Sequence, residues 1–167
     1  MAQSNPRSSK KLKDPLAAIK ERILPQDSIL DVGCYHGFMY EWLGHPKDYL
    51  GIDLFQENVD TARSNFPLGE FLQGDLFNLD VKRDFVICCR VLMHVPDFEV
   101  AIKRLRACAN RKLAVVIPIS QEWMSVEENA LGKVYFRTFA KQRVLDTGGE
   151  IIESSGYSAV FYDPLLP

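Results

Sequence analysis

The sequence predicts an α/β fold in which a mostly parallel sheet of seven strands ends in an antiparallel hairpin. Three observations predict this fold. Apolar runs of strand length alternate with amphipathic runs of helix length between residues 28 and 119. The first apolar run ends at a glycine-containing turn before a helix, which is where an open α/β sheet binds a nucleotide-like ligand. Near the carboxyl end, only residues 154–156 separate two short runs. Because a parallel crossover needs a much longer connection, these last two strands must be antiparallel.

The amino-terminal half is predicted to hold three helices and three strands. The helices are expected over residues 14–24, 37–43 and 56–65, and the strands over residues 28–33, 49–53 and 69–73. Asp14 is a favourable helix cap, and Pro15 fits the first helical turn. In the third helix, Val59, Ala62 and Phe66 share one face, which predicts that this face packs against the sheet.

The carboxyl-terminal half is predicted to hold four strands and two helices. The strands are expected over residues 85–89, 112–119, 150–153 and 157–162, and the helices over residues 97–109 and 135–146. Residues 75–83 leave room for little more than a turn. The continuous apolar run of the fifth strand predicts burial on both faces, and Gly148 and Gly149 end the last helix. The positions of helix 97–109 expected to face inward are Val100, Ile102, Leu105 and Cys108.

Acidic residues and glycines stand at the ends of the first three predicted strands. The first strand runs into the pattern Asp31-x-Gly33-x-x-x-Gly37. Gly33 allows a sharp turn, and Gly37 is expected to let the backbone approach a ligand closely. Asp53 ends the second strand about 20 residues after Asp31, the separation expected of a ribose-binding carboxylate. Asp75 follows the third strand in the same way.

The fourth predicted strand leads into a motif that completes the set. Positions 91, 92 and 94–97 follow the pattern Val-Leu-x-His-hydrophobic-Pro-Asp. Four motifs in this order, across residues 29–119, resemble those of the class I S-adenosylmethionine (SAM) dependent methyltransferases. The dinucleotide fingerprint Gly-x-Gly-x-x-Gly is not present, because Tyr35 and Phe38 stand where it needs glycine. The resemblance implies a Rossmann-like, doubly wound sheet of order 3-2-1-4-5-7-6. It also implies SAM as cofactor and S-adenosylhomocysteine (SAH) as product.

The resemblance further implies which residues bind the cofactor. The set is Asp31, Gly33, Tyr35, Gly37, Asp53, Leu54, Asp75, Leu76 and Cys89. Asp31 would meet the methionine amino group, directly or through water. Asp53 would accept both ribose hydroxyls, and Asp75 the adenine amine.

Hydrophobic side chains beside these acids are expected to enclose the adenine. Leu54 and Phe55 would flank the ring, and Leu76 or Phe77 would lie against it. Tyr35 stands where the family often has a further glycine. Either the loop tolerates this side chain, or the tyrosine narrows or blocks the pocket.

Three residues are weak candidates for a catalytic role. Arg90 departs from the family pattern at the predicted mouth of the pocket, where it either anchors the acceptor or pairs with a neighbouring acid. His94 matches a family histidine that mostly serves structure through packing and a backbone hydrogen bond, with proton abstraction as the alternative. His36, inside the glycine loop, could face the acceptor. Trp123 and Met124 follow the fifth strand and either line the acceptor site or form a lid or core contact.

Methyl transfer from a sulfonium asks little chemistry of the protein. The methyl group is already activated, so catalysis comes mainly from holding a nucleophile in line with it and excluding water. Neither a metal nor a covalent intermediate is expected. A general base is needed only where the acceptor is a poor nucleophile such as an alcohol.

Composition limits the partners. The chain of 167 residues suits one domain, expected over residues 14–167 after a basic, disordered tail over residues 1–13. The net charge of −2 gives no electrostatic reason to expect nucleic acid, and no apolar run reaches the roughly 20 residues of a membrane span. The absence of a signal-peptide pattern and of paired cysteine spacing predicts a cytoplasmic protein with reduced thiols. We therefore expect a small-molecule acceptor of unknown identity, and the oligomeric state stays open. The acceptor side of the pocket is expected to be built from the residues before the first strand and from residues 90–94 and 121–136.

Two alternatives from other functional classes stay open. The first is a SAM-binding but catalytically silent partner subunit, which Tyr35 and the small size would suit. The second is an oxidoreductase that uses NAD or another nucleotide on a related fold. The absent dinucleotide fingerprint and the antiparallel final strands argue against the oxidoreductase.

Overall fold

The computed structural model describes residues 13–129, 132–154 and 156–165. The helices are α1 (Lys13–Arg22), α2 (Phe38–Trp42), α3 (Gln56–Asn65), α4 (Phe98–Cys108) and α5 (Lys141–Asp146). The strands are β1 (Ile29–Val32), β2 (Tyr49–Asp53), β3 (Glu70–Gln73), β4 (Arg83–Cys89), β5 (Ala109–Ile117), β6 (Trp123–Asn129), β7 (Gly132–Thr138), β8 (Glu150–Ile152) and β9 (Ser158–Tyr162). The tail predicted over residues 1–13 lies outside the described residues, apart from Lys13, which begins α1. None of the helices in the described ranges is long and apolar enough to span a membrane.

Seven strands form one sheet in the order β3-β2-β1-β4-β5-β9-β8. The first five strands in this order pair in parallel, whereas β9 runs antiparallel to both β5 and β8. This confirms the predicted mostly parallel sheet, its strand order and its antiparallel end. The short link between β8 and β9 explains the reversal, because it cannot cross back over the sheet.

Helices cover both faces of the sheet, and the alternation of side chains along each strand divides the core. Leu30 and Val32 of β1 pack with residues of α4 and α5 on one face. Ile29 packs with residues of α1, α2 and α3 on the other. Residues on both faces of the central strands are buried, as expected for parallel strands with helices on each side.

The largest departure from the sequence prediction is a second, two-stranded sheet formed by β6 and β7. The helix expected over residues 135–146 is wrong in its first part, because residues up to Thr138 belong to β7 and α5 begins only at Lys141. Residues 134–138, Val-Tyr-Phe-Arg-Thr, are rich in β-branched and aromatic side chains. Their pairing with β6, from Trp123 opposite Thr138 onward, stabilises the extended form.

Smaller corrections concern element boundaries and one helix face. The fifth strand was expected over residues 112–119 but spans Ala109–Ile117, because it starts directly after α4 and pairs with β4 from its first residue. Val100 was expected to face inward, yet it is 43% exposed. Residues 75–82, between β3 and β4, form little more than the 3-10 turn Leu76–Asn78, as predicted.

Candidate active site

A cavity of about 830 Å³ lies where the carboxyl ends of β1, β2, β3 and β4 meet, a volume within the usual range for small-ligand sites. Its walls are built from four loops and from the β6–β7 hairpin. The lining residues are Val32 at the end of β1, with Gly33 and Tyr35 after it; Ile52 and Asp53 at the end of β2, with Leu54, Phe55 and Asn58 after it; Gly74, Asp75, Leu76 and Phe77 after β3; Arg90, Val91, His94, Val95 and Pro96 after β4; and Lys133, Val134 and Tyr135 of β7.

Asp53 is buried at the floor of this cavity, and donors from three residues hold its carboxylate. The backbone N–H of Tyr35 donates to Oδ2 over 2.9 Å, and the N–H of Phe55 donates to Oδ1 over 3.1 Å. The side-chain amide of Asn58 also donates to Oδ1, over 2.8 Å. These bonds tie the loop after β1 to the loop after β2 and fix the orientation of the carboxylate. Three of the roughly four lone-pair sites of the carboxylate are thus occupied, so one ligand hydroxyl can bond directly to Oδ2, and a second hydroxyl has to share or displace a donor at Oδ1.

Asp75 stands at the end of β3 and caps the turn Leu76–Asn78. Its carboxylate accepts the backbone N–H of Phe77 over 2.9 Å and the side-chain amide of Asn78 over 3.2 Å. Leu76, which is buried, and Leu54, which is 55% exposed, both line the cavity. Asp75 is therefore accompanied by apolar lining residues and can accept a further hydrogen bond.

The glycine loop after β1 is shaped by contacts with the loop after β4. Gly33 has a left-handed backbone (φ 79°), and a Cβ atom there would lie 2.1 Å from Cγ2 of Val91. Tyr35 is also left-handed (φ 53°), a conformation that disfavours a non-glycine residue. Its ring stacks on that of His36, with 3.6 Å between centroids. Tyr35 lines the cavity, whereas His36 does not.

Three residues expected to contact the cofactor lie outside the cavity lining. Asp31 is fully buried and accepts the hydroxyl of Tyr49 over 2.7 Å. Cys89 is fully buried in the core layer beside α1, α2 and α3. Gly37 is also absent from the lining.

Gly37 leaves room for aromatic rings rather than for a ligand. Its backbone is left-handed (φ 85°), and an added Cβ would lie 2.6 Å from the ring of Phe66 and 3.2 Å from that of Phe71. Added Cβ atoms at Gly51 and Gly69 would also lie 2.6 Å from Phe71. The second glycine of the loop therefore serves the packing of an aromatic cluster beneath it.

Arg90 and the hairpin form the remaining walls. Arg90 has a left-handed backbone (φ 61°), and its N–H donates to the carbonyl of Val116 over 2.9 Å. Its guanidinium lies 4.9 Å from the ring centroid of Tyr157. Lys133 and Tyr135 of β7 line the cavity from above.

Contacts at His94 and Pro96 hold the hairpin against the loop after β4. Nδ1 of His94 lies 2.8 Å from the carbonyl oxygen of Tyr135, and its ring meets Phe136 edge-on at 5.4 Å. Arg137, buried between the hairpin and this loop, donates to the carbonyl of Pro96 over 3.0 Å. Burial lowers the pKa of the Arg137 guanidinium.

The foot of the hairpin is fastened by an ion-pair network on the far side. Arg143 of α5 donates to both Glu99 of α4 and Glu122, which directly precedes β6. The hydrogen bond from Arg143 lowers the pKa of Glu99. Trp123 and Met124 are more than half exposed at the start of β6 and do not line the cavity.

Sequence reasoning did not name four residues of the site. Asn58, Lys133 and Tyr135 line the cavity, and Tyr157 lies against the Arg90 guanidinium. Asn58 could have been found from its place in the first turn of α3, one turn beyond the Asp53 carboxylate. Lys133 and Tyr135 belong to the segment expected on the acceptor side, but only the hairpin shows which of its side chains reach the cavity.

Comparison with known proteins gives the site a context. A family model described as a methyltransferase domain matches residues 30–112, which hold the three loops around Asp53, Asp75 and Arg90. Together with the antiparallel β9, this match decides against the oxidoreductase alternative. No curated protein gives a significant match.

Several solved structures share the fold at low sequence identity. Magnesium protoporphyrin IX methyltransferase (ChlM) from Synechocystis PCC 6803 with bound SAM has a TM-score of 0.67 at 20% identity, over 89% of this chain and 76% of that one. A SAM-dependent methyltransferase from Mesorhizobium loti has a TM-score of 0.67 at 13% identity, over 87% and 95%. The DhpI-SAM-HEP complex has a TM-score of 0.69 at 19% identity, over 95% and 89%.

Proposed function

The chain belongs to the class I SAM-dependent methyltransferases, and on this premise we propose that it methylates a small polar or anionic molecule beneath the β6–β7 hairpin. The observation that carries the proposal is a pair of cations, Arg90 and Lys133, among the largely apolar residues of the acceptor half of the cavity. With the cofactor over the ends of β1, β2 and β3, where Asp53 and Asp75 line the cavity, the end of β4 and the hairpin are left for the acceptor.

The cofactor half suits SAM in its donor and acceptor set. Asp53 is oriented to accept the ribose hydroxyls, and Asp75 to accept the adenine amine. Leu54, Phe55 and Leu76 supply apolar surface for the adenine ring. SAM, when bound, supplies a methyl group already activated by its sulfonium. The residues around it then have to orient the acceptor and exclude water.

The roles expected for Asp31, Gly37 and Cys89 change under this proposal. Asp31, held by Tyr49, supports the loop from within the core and reaches the cofactor only through that loop. Gly37 and Cys89 act through packing. Gly33 remains at the cavity wall, where its missing Cβ makes room for Val91.

The acceptor half suits a compact anion with an apolar body. Arg90 and Lys133 offer positive charge, while Val91, Val134 and Tyr135 offer apolar contacts. The net charge of −2 argues against a long nucleic acid, which would need many phosphate contacts. At 20% identity, the similarity to the protoporphyrin methyltransferase is evidence for the fold but not for the acceptor. We also propose a cytoplasmic location, which the four buried cysteine thiols support.

Paired substrates test the acceptor class. SAH release would be measured with small carboxylic acids that carry a hydroxyl or an amino group, and with the uncharged amide of each acid. We expect the acids to react faster, and we expect Arg90→Ala to raise the acceptor KM at least tenfold while the SAM dissociation constant stays within about twofold. Arg90→Lys should recover part of the loss, because it keeps the charge without the planar fork.

Lys47→Ala serves as the charge control, because Lys47 is exposed and lies outside the cavity lining. It should leave both the acceptor KM and the SAM dissociation constant unchanged. An unchanged acceptor KM in Arg90→Ala, or activity restricted to RNA, DNA or protein, would contradict the proposal.

A further inference from the structure

The hydrogen bond between His94 and the hairpin determines which ring nitrogen of the histidine carries a proton. Nδ1 lies 2.8 Å from the carbonyl oxygen of Tyr135. A carbonyl oxygen can only accept, so Nδ1 must be the donor and must carry the hydrogen. In a neutral imidazole, Nε2 is then the unprotonated nitrogen, with its lone pair available.

The position of the ring is as constrained as its tautomer. His94 ends the 3-10 turn Leu92–His94, which follows Arg90 at the end of β4, and it lines the cavity. The edge-on contact with Phe136, at an interplanar angle of 88°, holds one side of the ring. A nitrogen base is thereby oriented by a backbone carbonyl in the acceptor half of the cavity.

The two carboxylates of the cavity are poorly placed for the same task. Asp53 already accepts from the loops after β1 and β2, and Asp75 from Phe77 and Asn78. Both carboxylates are therefore engaged in holding the loops around them. Both acids also lie in the cofactor half, away from the end of β4.

We propose that Nε2 of His94 is the general base of the reaction and that the group methylated is a hydroxyl, which needs one. This inference rests on the proposed function. In the step, the acceptor oxygen forms a bond to the methyl carbon while the hydroxyl proton moves to Nε2. The electron pair of the broken C–S bond remains on sulfur, so a cationic donor and neutral histidine give a methyl ether, SAH and a histidinium. An amine acceptor would not need this base.

The tautomer can be measured without an acceptor. Nitrogen-15 NMR of the uniformly labelled protein, with and without SAM, distinguishes the two tautomers by the shifts and couplings of Nδ1 and Nε2. The chain has only three histidines, and the signal that disappears in His94→Asn identifies His94. We expect the Nδ1–H form, which is the minor form of free histidine. An Nε2–H form in the folded protein would overturn the inference.

Kinetics tests the role of Nε2. His94→Asn is the informative variant, because its amide nitrogen can still donate to Tyr135 while no base remains. SAH release would be compared for 4-hydroxybenzoate and 3,4-dihydroxybenzoate and for their amino counterparts. We expect kcat with the hydroxy acids to fall about 100-fold or more, with KM, SAM affinity and melting temperature nearly unchanged. The purely structural role predicts the opposite pattern, with normal kcat in His94→Asn and loss of thermal stability in His94→Ala.

Each remaining outcome separates the inference from the proposed function. The inference would be overturned if only the amino-substituted benzoates were methylated, or if turnover of the hydroxybenzoates were unchanged in His94→Asn. The proposed function would stand in both cases. If SAM binds but no acid reacts, the acceptor class of the proposed function is wrong, and the tautomer alone then decides whether His94 is poised as a base.

Discussion

Replacement of Asp53 by alanine is the sharpest test of the cofactor site. Under the proposed function, this carboxylate accepts two ribose hydroxyls, and charge-assisted bonds of this kind contribute about 2 to 4 kcal/mol together at a buried site. Asp53→Ala should therefore weaken SAM binding about 30- to 900-fold, as measured by isothermal titration calorimetry. The buried position of Asp53 places the expected loss in the upper part of this range.

The same substitution should also reduce stability, because Tyr35, Phe55 and Asn58 lose their acceptor. Each donor that remains unsatisfied and buried costs about 1 to 3 kcal/mol, and less where water can reach it. Urea unfolding of the ligand-free protein measures this cost separately, so that the binding loss can be corrected for the unfolded fraction. Asn58→Ala removes one donor only and should weaken SAM binding by roughly three- to tenfold.

Asp60→Ala is the matched charge control, because Asp60 is an exposed acid on the same helix as Asn58 and lies outside the cavity lining. It removes the same charge and should leave SAM affinity unchanged. If folded Asp53→Ala bound SAM as tightly as Asp60→Ala, the cofactor would lie elsewhere and the assignment of the cofactor half would be refuted.

Three further substitutions test the loop and the hairpin foot. Gly37→Ala and Gly44→Ala both strain a left-handed backbone, but only the Cβ at Gly37 would meet two phenylalanine rings. Urea unfolding should show Gly37→Ala to be the less stable variant by about 1 to 3 kcal/mol. Equal losses of stability in the two variants would contradict the packing role of Gly37. Gly33→Ala should lower both the melting temperature and SAM affinity. Adding Val91→Ala should recover part of the stability, because it removes the methyl that lies 2.1 Å from the new Cβ. A double variant no more stable than Gly33→Ala would contradict this contact. The lowered pKa of Glu99 gives stability that is present above its ordinary pKa of 4.5 and is lost as the pH falls through the lowered value. Glu99→Gln should flatten this part of the curve of unfolding free energy against pH. An unchanged curve would show that the ion pair with Arg143 contributes nothing to stability.

The sheet and its site-bearing loops were predictable because their signals are local. Strands β1, β2 and β4 consist mainly of apolar residues, and each ends at an acid, a glycine or a motif that marks the carboxyl edge of the sheet. Since all carboxyl ends of parallel strands meet at one edge, Asp53, Asp75 and Arg90 had to converge. The antiparallel end followed from a connection too short to cross the sheet.

The hairpin was missed because its stability is not local. β7 is extended through its pairing with β6 and through two contacts to the loop after β4, at His94 and Pro96. The β-branched and aromatic residues at 134–138 favour a strand, but no short-range pattern encodes these contacts. Residues 135–138 were therefore assigned to a helix. The segment 121–136 was expected on the acceptor side, but its form as a hairpin was not predicted.

By itself, the sequence determined the fold class, the antiparallel end of the sheet and the convergence of the acids on one edge, because these depend on the order and length of apolar runs and on motif spacing. The strand order followed from the resemblance of the motifs to those of the class I methyltransferases. The tertiary structure alone decided how each side chain is used. It placed the side chain of Asp31 in the core and the backbone of Gly37 against aromatic rings. It also oriented the His94 ring through a carbonyl 41 residues away. Such assignments depend on which side chains meet across the fold, and distance along the chain does not specify that.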